Sequence, residues 1–205
     1  MQRKYFDIHT SLGRKSSWDE RFPVDPDTLV SDMAHYRVHG GLFVQNEGPE
    51  YNIFQGNKQG MKTAAQYKRL YSAATLIPSV EYEWDEPDYY GTLDLDCVKA
   101  IHIAPKKMKH PFTPGAMEKL CRWMGEKNLP LLVSASEVGW EELERFLDTY
   151  RNINVILTDT SWGSNRFLFS LLGRYPNLYF EISSNQANDI LEVTKQYFGI
   201  HRALF

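Results

Sequence analysis

Leu131-Leu132-Val133-Ser134 is an unbroken apolar run that ends on a hydroxyl. A strand with one solvated face alternates apolar and polar residues, whereas a continuous apolar run belongs to a strand covered on both faces, as in a parallel sheet flanked by helices. Working outward, short apolar runs of this kind recur over residues 5–9, 41–45, 76–81, 98–103, 155–158, 178–182 and 202–205. Between them, amphipathic spacing predicts helices over 27–38, 64–73, 114–127, 140–150, 166–174 and 187–198. Thr113 before Pro114, and Asp25 before Pro26, each set a capping side chain ahead of a proline at the first helical position, where the missing N–H costs nothing.

Strands that alternate with helices are parallel βα units. Eight of them predict an α/β fold of the TIM-type (β/α)8 barrel, and no GxGxxG or GxxxxGK[ST] follows a strand to argue for a nucleotide-binding open sheet. The eighth strand coincides with Phe205, so the expected barrel ends there without a final helix, and its uncovered edge suggests a homo-dimer. The glycine-containing stretch 45–62 and the acidic, aromatic stretch 83–95 read as long loops after strands, where barrels keep their sites.

Bulk properties narrow the classes. A chain of 205 residues, 42% hydrophobic, supports one domain over 1–205, burying roughly 70% of the surface of the unfolded chain. The net charge is −3 with acids and bases mixed, so there is neither a basic stripe for nucleic acid nor a polybasic patch for a membrane. Met1-Gln2-Arg3-Lys4 is followed by too few apolar residues for a signal sequence, and no apolar run approaches the ~18 residues of a membrane span. Cys97 and Cys121 lie in helix-like segments without CxxC or Cys/His spacing, which suits buried thiols in the cytoplasm.

The candidate chemistry begins at Tyr5-Phe6-Asp7-Ile8-His9-Thr10-Ser11-Leu12-Gly13. Two histidines two apart on a strand point to one side and can share a cation, but the second such position here is Ser11, a poor zinc ligand. His9, at the expected strand end, is either a remnant ligand or base, or a histidine bonded to a neighbouring carbonyl. His102 projects to the side of Ala100 and Ala104, either to bind an anion or to fill a core layer. Asp159, at a strand terminus, is either a base or a cap for the turn at Trp162-Gly163. Glu137 precedes a helix and is either a base or a partner of the helix dipole. His9 with the two carboxylates can hold a divalent ion weakly, zinc for example, and the alternative is no metal at all. Trp84, Tyr89 and Tyr90 with Asp85, Glu86 and Asp88 form either a lid over a ligand or a loop pinned by one buried tryptophan. Ser11, Ser134 and Ser136 lack a GxSxG elbow, which leaves a serine-hydrolase triad little support.

Several stretches together carry a family resemblance: the N-terminal one above, Gly40-Gly41-Leu42-Phe43-Val44, Val98-Lys99-Ala100-Ile101-His102-Ile103-Ala104-Pro105, Lys127-Asn128-Leu129-Pro130-Leu131-Leu132-Val133, Asn154-Val155-Ile156-Leu157-Thr158-Asp159, Tyr175-Pro176-Asn177-Leu178-Tyr179-Phe180-Glu181-Ile182-Ser183 and His201-Arg202-Ala203-Leu204-Phe205. In this order they resemble the amidohydrolase superfamily, in particular its amidohydrolase-related group of metal-dependent hydrolases and decarboxylases. The resemblance implies a barrel with metal-binding histidines, of which this chain keeps His9, with Ser134 and either Thr158 or Asp159 where others would stand, and it ends before the family's metal-binding aspartate. Asn57 is similar to an asparagine that the family often keeps after its second strand. The implied activity is that of a hydrolase or lyase on a small carbonyl or carboxylate substrate. In it His9 orients metal or substrate, Asp159 or Glu137 is the base and His102 polarises the substrate. The other reading is a catalytically inactive barrel that binds a metabolite or a partner subunit.

Overall fold

Asp25 opens the first helix of the chain: its carboxylate accepts the Thr28 N–H at 2.9 Å and the Thr28 hydroxyl at 2.8 Å, with Pro26 in the first turn. The structure is a computed structural model that describes residues 5–16, 25–83 and 85–205; the readings at Met1-Gln2-Arg3-Lys4 and Trp84 lie outside them. The chain forms two compact units, Met1–His102 and Ile103–Phe205.

The first unit runs β1 (Tyr5–Leu12), α1 (Pro26–His35), β2 (Val38–Gln45), α2 (Glu47–Glu50), α3 (Ile53–Gln66), β3 (Leu70–Thr75), α4 (Val80–Glu83), a 3-10 turn at Tyr89–Thr92, and β4 (Val98–Ile103). Consecutive strands pair in parallel. Leu12, Leu29, Phe43 and Leu70 form a buried cluster, against which Met33, Ala64 and Tyr67 pack. This cluster seats α1 and α3 on the sheet.

Three expectations are corrected here. The strand expected at 76–81 is β3, six residues earlier at Leu70–Thr75. The helix expected at 64–73 is α3, at Ile53–Gln66, and most of the loop expected at 45–62 is therefore helical. The reason lies in close packing. The buried face of α3 is Ile53, Gly56, Asn57, Gly60 and Thr63, whose small residues read locally as loop formers. A Cβ on Gly56 would meet the Gly48 backbone N at 2.2 Å, so α3 lies directly on α2. Likewise Ser72, Ala73 and Ala74 have modest strand propensity, yet they fit a strand buried beneath a close helix. His9 is also not at a strand end, since β1 continues to Leu12.

The second unit runs α5 (Pro114–Lys127), β5 (Leu131–Ser134), α6 (Trp140–Thr149), β6 (Val155–Thr158), α7 (Asn165–Arg174), β7 (Leu178–Glu181), α8 (Ile190–Tyr197) and β8 (Ala203–Leu204). Its strands pair in parallel from β5 to β8. Here the sequence boundaries hold closely, and α5 shows why: Thr113 caps it ahead of Pro114, and Met117, Leu120, Cys121 and Met124 are its buried stripe. Asn128, at φ 54°, ends α5 in the left-handed region that asparagine tolerates. The Asn177 amide donates to the carbonyls of Ile153 at 2.7 Å and Tyr150 at 3.2 Å, which fixes the turn into β6. Phe112 stacks on Phe146 with ring centroids 4.8 Å apart. The last strand is shorter than the expected 202–205: Arg202 closes a 3-10 turn, and its buried guanidinium donates to the carbonyls of Leu178 and Tyr175 at the start of β7. Cys97 lies in a turn before β4 rather than in a helix, while Cys121 is on α5; both are buried free thiols.

The eight parallel strands follow one another in chain order, with helices between them, which is the strand order of a (β/α)8 barrel. Among the described residues no helix is long and apolar enough to cross a membrane.

Candidate functional site

From β2 to β7 the strands carry a polar residue at or next to their C-terminal ends. In the first unit these are Gln45, Thr75 and His102; in the second, Ser134, Thr158 and Glu181. Gln45, Thr75, Thr158 and Glu181 are buried. In TIM-type barrels chemistry is placed at the C-terminal ends of strands, whereas the rest of each strand is packing. A buried polar side chain must also be bonded, so each one is held by partners.

In the first unit, Thr75 and His102 are opposite one another in the β3–β4 register, and Thr75 Oγ1 lies 3.1 Å from His102 Nδ1. Asn57, from α3, fixes that position. Its Oδ1 accepts the Thr75 N–H at 2.8 Å, and its Nδ2 donates to the Thr75 carbonyl at 2.9 Å and to the Tyr89 hydroxyl at 2.8 Å. Burial pushes the Tyr89 phenol up, partly opposed by the Asn57 amide, and Phe54 meets the same ring edge-on. Beside this network Gln45 donates to the Glu47 carboxylate, and Asn46 donates to the Gly13 carbonyl at 2.7 Å. Gly13 has φ 79°, and a Cβ there would strike the Glu47 carboxylate at 2.3 Å, so the loops after β1 and β2 are joined at a position that requires glycine. His9 is half-buried at an irregularity of the β1–β2 register, and its N–H donates to the Asp7 carboxylate at 2.9 Å.

In the second unit, Glu137 Oε2 accepts the N–H groups of Lys106 at 2.8 Å and Lys107 at 3.0 Å, so it fastens the turn after β4. The Lys106 ammonium donates to the Ser136 carbonyl, and the hydroxyls of Ser134 and Ser136 are 2.8 Å apart. Asp159 is exposed and left-handed at φ 53°, with the Thr158 hydroxyl donating to Oδ2 at 3.2 Å. It does not cap the following turn, which is closed by the Ser164 hydroxyl accepting the Ser161 N–H at 3.3 Å and donating to the Ser161 carbonyl at 2.8 Å. Thr160 donates to the Glu181 carbonyl at 3.1 Å, and Asn185 bonds Thr160 and Asn165.

The side chains of three expected residues have distinct partners, His102 with Thr75, Glu137 with two backbone amides and Asp159 with Thr158, while His9 bonds Asp7 through its backbone N–H. Among the described residues no group of three or more His, Cys, Asp or Glu side chains is arranged to hold a metal ion. A catalytic zinc site needs three protein ligands, and no group of the described residues supplies them. The sequence reading missed Gln45, Asn46, Glu47 and Thr75 as site residues. The signal for Gln45 and Thr75 is a polar residue closing an apolar run, as in Phe43-Val44-Gln45 and Ala73-Ala74-Thr75, and at Thr75 the strand expected at 76–81 obscures it.

The strand order defines a TIM-type barrel, and solved structures that share this fold include amidohydrolases and decarboxylases. A 5-carboxyvanillate decarboxylase from Novosphingobium aromaticivorans, complexed with manganese and 4-hydroxy-3-methoxy-5-nitrobenzoic acid, is similar at TM-score 0.71 and 12% identity over 97% of this chain and 84% of that one. An amidohydrolase 2 from Bifidobacterium longum subsp. infantis aligns at TM-score 0.65 and 16% identity, over 98% of this chain and 82% of that one. An uncharacterised TIM-barrel protein from Bordetella bronchiseptica aligns at TM-score 0.71 and 13% identity, over 99% and 85%. At these identities the likeness establishes the shared fold. No family model and no curated protein sequence matches the chain.

Proposed function

We propose that residues 1–205 form one amidohydrolase-like domain, divergent at its metal-ligand positions, that acts as a hydrolase or lyase on a small carbonyl or carboxylate substrate. The observation that carries this reading is the set of buried polar strand ends, on a fold shared with a decarboxylase and an amidohydrolase. In the first unit, Thr75 orients the His102 imidazole, which polarises the substrate, and His9 orients the substrate. In the second, the exposed Asp159 carboxylate is the base, with Glu137 its alternative. No step is routed through a metal. The test is turnover of a panel of aryl carboxylates, lactones and amides, followed by carbon dioxide release and product chromatography after exhaustive chelation. Turnover lost in both His102→Gln and Asp159→Asn supports the assignment. Turnover that survives both, in folded protein, overturns it.

A second reading, a catalytically inactive barrel that binds a metabolite or partner subunit, is favoured by Ser11 and by the lack of a three-ligand group among the described residues. Saturable binding of a panel member without turnover would support it. A cytoplasmic location and a homo-dimer belong to the same proposal; the two buried free thiols support the first, and sedimentation at micromolar concentration tests the second.

A further inference from the structure

At the end of the first unit's strands opposite to these polar residues, the turns that lead into β2 and β3 border a cavity of about 350 Å³. Val30 and Met33 of α1 and the buried Leu70 give it an apolar floor, and the exposed Arg37, Lys68 and Arg69 line its rim. Small-molecule sites occupy roughly 300–1,000 Å³ and combine an apolar lining with a few placed polar groups, so both size and composition fit a ligand.

None of the three rim cations has a carboxylate partner among the described residues. Among the described residues, the acids of and just before α1 are engaged elsewhere or lie off the helix face that carries Val30. Asp25 caps α1, and Asp27 accepts the Tyr67 hydroxyl at 2.7 Å. Asp32 is two residues from Val30, a spacing that does not share a helix face. A concavity lined by one sign of charge over an apolar floor concentrates the field on whatever enters it.

The rim also stands on fixed backbone. Arg37 and Arg69 occupy the left-handed region at φ 60° and 75°, in the tight turns that precede β2 and β3. The Arg69 carbonyl accepts the Gly41 N–H at 2.9 Å, which ties the entry of β3 to β2, and the His39 ring rests on the Arg37 carbonyl at 3.2 Å. Two guanidinium groups present planar donor pairs that suit carboxylate and phosphate oxygens.

We propose that this cavity binds a small amphipathic organic anion, a carboxylate or phosphate ester on an apolar body. The site is separate from the strand C-termini and does not depend on the proposed chemistry there.

The test is a 1H–15N NMR titration of the full chain with sodium octanoate, octyl phosphate and, as the uncharged control, octanamide. The expected result is saturable shifts confined to residues 30–39 and 68–70, with octanamide about tenfold weaker or worse than the better anion. The stronger of the two anions identifies the head group. The double substitution Arg37→Gln, Arg69→Gln weakens binding about tenfold with an unchanged thermal midpoint, and 0.5 M sodium chloride weakens wild-type binding in parallel. Octanamide binding as tightly, shifts that map elsewhere, binding unchanged in the double variant, or no binding by either anion each overturn the proposal. Failure of both anions while a glutamate-rich peptide shifts the same resonances overturns it in favour of a macromolecular partner.

Discussion

Thr75 Oγ1 lies 3.1 Å from Nδ1 of His102, its cross-strand partner, and the backbone of Thr75 is itself held on both sides by the Asn57 amide. Three elements, α3, β3 and β4, therefore meet at one buried residue: α3 through the Thr75 backbone and β4 through its hydroxyl, which bonds the His102 ring. Thr75→Val keeps the shape and removes that bond. It is expected to cost about 1 kcal/mol in urea unfolding and to change the 15N shifts of the His102 ring, which report its tautomer and protonation. Unchanged ring shifts would show that Thr75 does not orient His102.

Asn57→Ala is expected to be far more damaging. It removes three bonds at a residue 3% exposed and strands the Thr75 N–H without a partner. A loss of about 3 kcal/mol is expected from chemical denaturation. Because the Asn57 amide holds the Tyr89 phenol down against burial, the variant's Tyr89 should also ionise at higher pH, read by ultraviolet absorbance.

Gly56→Ala tests the close packing of α3 on α2. An added methyl would meet the Gly48 backbone at 2.2 Å, where no flexible side chain can yield. Helix propensity alone favours alanine by about 1 kcal/mol, so a net destabilisation of about 1–3 kcal/mol, measured by thermal or urea unfolding, shows that tertiary contact outweighs it. A stabilised variant would refute the contact.

Burial raises the Cys121 thiol from an ordinary value of 9.0 to about 12. In this window the unfolded chain releases the proton and the folded chain retains it, so stability is lost as pH rises. The loss begins near pH 9 and levels off near pH 12, at roughly 1.4 kcal/mol per pH unit between them. The urea midpoint should fall between pH 8 and pH 10.5, and fall less steeply in Cys121→Ala. Equal slopes in the two proteins would contradict the assignment.

Asp159 separates conformation from charge. Asparagine tolerates its left-handed φ of 53° as well as aspartate does, so Asp159→Asn should leave stability within about 0.5 kcal/mol of wild type by urea unfolding. Any turnover for which Asp159 is the base should drop at least about a hundredfold in the same protein.

The amino-acid sequence by itself determined the class of fold and nearly all of the second unit. In that half the signals are local: an apolar stripe on α5, a proline behind Thr113, asparagine at the helix end, and unbroken apolar runs at β5 and β6. It also offered His9, His102, Glu137 and Asp159 as candidates for chemistry, and Ser11 as a poor zinc ligand at the position two residues from His9. Only the tertiary structure decided the course of the chain between β2 and β4, where Gly56, Gly60 and the small residues of β3 are stable because a neighbouring backbone packs directly against them. Local propensity penalises such residues, and a contact between positions distant in sequence repays them. The same holds for the site. That Glu137 is spent on two backbone amides, and that Thr75 orients His102, depends on which loops and strands lie side by side, and residue identity alone carries no record of that.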